Sequence, residues 1–151
     1  MIREARFCNS RKNRYLLKRE WDASKRLILY IMFNPSLADD KQDDPTIRRL
    51  LSFSRKFNYG GFYVANLYTQ ITPNPKIIDS NIGVKKDNIE IIKSLINKVD
   101  QVVYAWGNSI KEPNELKSFI SNPMCFGKNL NGTPKHPLYL PSNSKIIEFR
   151  K

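Results

Sequence analysis

Histidine is almost absent from this chain of 151 residues: there is one, His136, alongside two cysteines, Cys8 and Cys125. A four-thiolate iron-sulfur cluster or a standard structural zinc site needs more thiol and imidazole ligands than that. Two thiols close at most one disulfide, and in a cytoplasmic protein they stay reduced. Long apolar runs are missing too, since none approaches the roughly 18 residues needed to span a bilayer. The opening MIREARFCNS is basic but is not followed by the apolar segment of a secretory signal. A soluble, cytoplasmic protein with no membrane partner is expected. Its size suits one domain over residues 1–151, without repeats or linkers, and a monomer is the favoured state.

Acidic residues are scarce beside basic ones, 14 against 26, which leaves a formal net charge of +12. Such an excess suits a protein that meets polyanions, so DNA is the expected partner. The basic residues are scattered (Arg11, Lys12, Arg14, Lys18, Arg19, Lys25 and Arg26, then Arg48, Arg49, Arg55 and Lys56), and no tail accounts for them. The charge belongs to the folded body.

RYLLKREW reads as a strand that pairs with ARFCN in a hairpin. RLILYIMF, ending at Asn34-Pro35, is a near-continuous apolar run of strand length, the pattern of a strand buried on both faces. Asp44-Pro45-Thr46 looks like an N-cap with proline in the first turn, and Ile47, Leu50 and Leu51 continue the helical spacing to Phe57. FYVANLYT is a second β-rich run, broken by Pro73 and Pro75; Ile89, Ile92, Leu95 and Ile96 then form a helical stripe before QVVYAWG. A short helix after Pro113, a strand at MCFG, the loop NGTPKHPLYLP and a closing strand KIIEF complete the chain. Strands alternating with helices predict an α/β fold, a three-layer α/β/α sandwich on a central, mostly parallel sheet. In such sheets ligands bind beyond the carboxyl ends of the strands. Asn34, Asn66, Trp106-Gly107-Asn108 and the His136 loop all fall at those ends.

The motifs MFNPS, VANLYT, VVYAWGN and KHPLYL, in that order, resemble the uracil-DNA glycosylase superfamily over about residues 27–140, and Asn34-Pro35 is similar to the form in its mismatch-specific branch. The wider pattern, MFNPSLADDKQDDPTIRR with NLYT, AWG and GTPKHPLYL, looks like the domain-of-unknown-function family numbered 1643 over nearly the full length. The first resemblance implies a glycosylase-like fold and a DNA glycosylase-type hydrolase that flips a modified or mismatched base and cleaves its N-glycosidic bond. It implies a hydrogen bond from His136 to the base carbonyl, stabilising the leaving group. Asn66 would read the base edge, since an amide offers both donor and acceptor. Asn34 would orient the attacking water; an amide has no useful basicity, so the reaction should be slow. Phe33, Phe62, Tyr63 and Tyr68 are candidates for stacking on the base, with Trp106 and Gly107 beside them, although strand alternation makes half of the FYVANLY aromatics core residues. Ser36, Arg48 and Lys135 are candidate DNA contacts, and Leu138 and Tyr139 could wedge the duplex.

The acidic cluster Asp39, Asp40, Asp43 and Asp44 does not fit a plain glycosylase, because carboxylates beside a DNA cleft repel phosphate. Asp44 reads first as a helix cap. Asp39 or Asp43 could act as a water-activating carboxylate or as a ligand of magnesium; otherwise no cofactor or metal is implied. Two alternatives therefore stand beside hydrolysis: a non-catalytic nucleobase- or nucleic-acid-binding protein of the same fold, and a metal-dependent nucleotide-processing enzyme built on the Asp cluster.

Overall fold

The computed structural model describes residues 1–7, 14–33, 38–68 and 86–150. Asn34 and Ser36, together with Cys8 and the breaks at Pro73 and Pro75, lie outside the described residues.

Seven strands form one sheet: β1 (Ile2–Phe7), β2 (Arg14–Glu20), β3 (Leu27–Met32), β4 (Gly61–Asn66), β5 (Gln101–Tyr104), β6 (Met124–Cys125) and β7 (Ile147–Glu148). Their order is β1-β2-β4-β3-β5-β6-β7. Three helices accompany them: α1 (Pro45–Lys56), α2 (Lys86–Ile96) and α3 (Asn114–Lys117). β4, β3, β5 and β6 are parallel neighbours, whereas β1 with β2, β2 with β4 and β6 with β7 run antiparallel. The sheet is therefore mixed: the expected parallel arrangement holds for its four central strands, and antiparallel pairs finish both sides. The four parallel strands are joined by long connections, as parallel crossovers require.

β3 shows why the middle is buried on both faces. Its alternate residues Ile28, Tyr30 and Met32 pack with Ile47, Leu50, Leu51 and Phe53 of α1. Leu29 and Ile31, with Phe33 just beyond the strand, pack on the other side with Ile89, Ile92 and Leu95 of α2 and with Leu116 of α3. A strand covered on both sides has no polar face, which is what the unbroken run LILYIM encodes. β4 alternates in the same way, Phe62 and Val64 toward α1, Tyr63 and Ala65 toward α2.

α1 starts as its sequence dictates. Oδ1 of Asp44 accepts the Ile47 N–H at 2.8 Å, and Pro45 stands where no N–H is needed. It ends at Phe57, followed by Asn58 at φ 66 and by Gly60, where a Cβ would lie 2.0 Å from the Asp22 carbonyl oxygen. Only glycine can pass that close to another backbone. Helices on opposite faces and a chain that turns outward in both directions from β3 create a switch point at the carboxyl ends of β3 and β5. Among the described residues, no helix is long and apolar enough to cross a membrane.

Candidate functional site

A hollow of about 350 Å³ is lined by Gly107 and Asn108 after β5 and by Asn129, Lys135, His136 and Leu140 after β6. Its volume is at the lower end of the roughly 300–1,000 Å³ of small-ligand pockets. Gly107 has φ 85 and stands against His136, so that a Cβ there would be 3.6 Å from the His136 Cβ. The left-handed turn thus brings the β5 loop alongside the imidazole without a side chain between them.

His136 is exposed; partial desolvation by the protein atoms around it lowers its pKa below the ordinary 6.5, opposed by the charge of Asp44. Its Nδ1 accepts the Leu138 N–H at 3.2 Å. An accepting Nδ1 carries no proton, so the neutral ring holds its hydrogen on Nε2. The loop is anchored on both sides of the histidine. Lys135 N–H donates to the Gly127 carbonyl at 2.9 Å, while Arg49 of α1 donates to the Leu140 carbonyl and Lys56 to that of Ser142. Sequence reasoning missed Arg49 as a support of this loop and chose its neighbour; nothing in the local sequence distinguishes them, because the contact spans 91 positions. Arg48 is exposed and donates to the Asp43 carbonyl at 3.2 Å.

Asn66 ends β4 and is 1 % exposed, and among the described residues neither its side-chain oxygen nor its nitrogen has a hydrogen-bond partner. By strand alternation it shares the face of Phe62 and Val64, the face that carries α1. Its own carbonyl accepts Nδ2 of Asn88, in the first turn of α2, at 2.7 Å. Asn66 is not among the residues lining the hollow; β3, whose Met32 is in register with Asn66, stands between β4 and β5.

The expected stacking aromatics are packed elsewhere. Phe62 is fully buried among Trp21 and Tyr30 in the α1 layer. Phe33 and Tyr68 pack against each other, ring centroids 5.0 Å apart, in the α2 layer, and Trp106 in that same layer donates its Nε1–H to the Ile110 carbonyl at 2.8 Å. Tyr63 lies beneath the Lys18 ammonium, 5.2 Å from ring centroid to nitrogen. Of that group, only Gly107 reaches the hollow. Leu138 is half-buried and Tyr139 is 92 % exposed, on the lip formed by the His136 loop.

The acidic cluster is occupied by its own surroundings. Burial alone would raise the Asp43 pKa, but hydrogen bonds from Arg19 (2.9 Å) and Arg3 (3.0 Å) outweigh it and hold the carboxyl below the usual range. Arg19 is fully buried there, its guanidinium also held by the carbonyls of Lys18, Asp39 and Gln42. Oδ1 of Asp39 accepts the N–H groups of Lys41 and Gln42 at 2.8 and 2.7 Å, closing a tight turn. Asp44 caps α1. Among the described residues, no group of three or more His, Cys, Asp or Glu side chains could hold a metal ion. Cys125 is free, and burial pushes its thiol pKa up.

The model of the family described as protein of unknown function (DUF1643) matches residues 14–138. The chain belongs to that family. No curated protein and no solved structure matches it.

Proposed function

We propose that this protein is a DNA glycosylase-like hydrolase in which His136 donates a hydrogen bond to a base carbonyl held at the carboxyl edge of the sheet. The observation that carries the reading is the state of the chain's single imidazole: it lines the hollow beyond the carboxyl ends of β5 and β6, Nδ1 is engaged by Leu138, and the proton on Nε2 is left for a ligand. In glycosidic hydrolysis the bond's electrons depart with the base, so a fixed donor at the base carbonyl stabilises charge as it develops. Water then adds at the anomeric carbon, and the proton it loses passes to the departed base. Asn66, the expected reader of the base edge, is buried apart from that hollow, so the reading rests on His136. The net charge of +12 suits the polyanionic substrate. The engagement of Asp43 by Arg3 and Arg19 speaks against the metal-dependent alternative, because a carboxylate so paired is a poor base.

The test is incubation with duplexes carrying uracil, mismatched thymine, or hydroxymethylated and glucosylated bases, followed by alkali. The expected result is strand scission at one of these bases by the wild type, reduced about 10²–10³-fold by His136→Ala at unchanged melting temperature. Saturable binding with no alkali-labile site from any of the duplexes would instead favour the non-catalytic alternative.

A further inference from the structure

Two large apolar side chains flank the His136 hollow in open water: Leu130, fully exposed, and Tyr139, 92 % exposed. Each is the chain neighbour of a lining residue, Asn129 and Leu140 respectively. A single exposed leucine is ordinary. The turn that holds this one is not loose. Asn129 N–H donates to the Thr133 carbonyl at 2.8 Å and Gly132 N–H to the Asn129 carbonyl at 2.9 Å. Oδ1 of Asn131 accepts both the Thr133 N–H (3.1 Å) and its hydroxyl (2.5 Å), and Asn129 Nδ2 donates to that same hydroxyl at 3.0 Å. Thr133 is buried beneath the turn, Gly132 takes φ 84 to close it, and Asn131 Nδ2 reaches the Asn108 carbonyl on the opposite side at 3.4 Å. A mobile loop could lower its leucine onto the protein surface and so remove apolar area from water. This network prevents that and keeps the side chain standing out beside the hollow.

We propose that Leu130 is a second nucleic-acid probe, an apolar side chain that enters the base stack of duplex DNA while Tyr139, also exposed beside the hollow, contacts the same duplex. The inference rests on the nucleic-acid reading of the hollow. Apolar side chains inserted at base steps unstack them and ease a nucleotide out of the helix. The molecule supplies the matching attraction for the backbone through its net charge of +12, with Lys135 in the lining of the hollow. A rigid probe gives up little conformational freedom on insertion.

The experiment uses the full chain and a fluorescein-labelled duplex with a central mismatched thymine and an adjacent 2-aminopurine, titrated at several salt concentrations. Wild type should raise the 2-aminopurine fluorescence as it binds. Leu130→Ala should bind at least about tenfold more weakly, as for one leucine side chain no longer buried, with an unchanged salt slope and no fluorescence rise. Leu130→Lys should also lose the rise despite its added charge, whereas Lys135→Ala should reduce the salt slope by about one unit. Melting temperatures should stay level, since Leu130 has no packing to lose. Wild-type affinity and a full fluorescence rise in Leu130→Ala would overturn the probe and leave the nucleic-acid reading standing. Absence of wild-type binding at low salt would overturn both.

Discussion

At the scale of single residues, His136 and Asn66 each have a testable energetic signature. The folded-state pKa of His136 is below that of a free histidine, so between the two values the unfolded chain binds more protons than the native one. Stability therefore falls as pH drops through the ordinary value of 6.5 toward the native pKa, and the histidine contributes no pH dependence above that window. Protonation would also deny Nδ1 its bond from Leu138. Denaturant titrations from pH 7.5 to about 5 should show wild type losing more stability than His136→Gln; a parallel loss in both would contradict this. Asn66 makes the opposite kind of prediction. Replacing it with leucine removes two buried groups that are unsatisfied among the described residues, at similar volume, and should leave stability unchanged or raise it by about 1–2 kcal/mol. Urea unfolding measures the difference. A loss of several kcal/mol would mean that the amide has a structural partner.

At the scale of elements, α1 joins the fold to the site. Asp44 caps its first turn, and its charge also raises the His136 pKa, partly countering burial. Asp44→Asn keeps a capping side chain and removes the charge, so the His136 pKa should fall further with little change in stability. Asp44→Ala should also cost about 1 kcal/mol through loss of the cap. Proton NMR reads the first effect without ambiguity, because the chain has a single imidazole; an unchanged pKa in Asp44→Asn would break the electrostatic link. The elements themselves were largely legible. LILYIM, the Asp44-Pro45 cap and the stripe Ile89, Ile92 and Leu95 are local patterns, and each became the strand or helix expected of it. The last strands are shorter than MCFG and KIIEF suggested, at Met124–Cys125 and Ile147–Glu148, because pairing rather than composition decides where a strand stops.

At the scale of the whole molecule, strand direction and side-chain assembly were the parts that local pattern could not give. Whether β2 runs with or against β4 depends on contacts more than 40 residues apart, and only the arrangement of the whole sheet shows that Phe33, Tyr68 and Trp106 fall in one layer and the His136 loop beside another. Alternation within FYVANLY anticipated that some aromatics would be core. It could not show that Phe62 would be sealed in by Trp21 and Tyr30, residues distant in sequence. The Asp cluster was visible as composition, but its pairing with Arg3 and Arg19 depends on the β1–β2 hairpin folding beside it. His136 at the carboxyl edge was inferable, since it follows a strand of the parallel set; that Nδ1 accepts from Leu138 was not.

The most direct measurement is proton NMR of the His136 imidazole while a duplex with one mismatched base is added to the intact protein. A base carbonyl hydrogen-bonded at Nε2 should move the ring resonances and shift their titration in step with binding, with a fully paired duplex giving a much weaker response. Binding that saturates with those resonances and their titration unmoved would contradict the account.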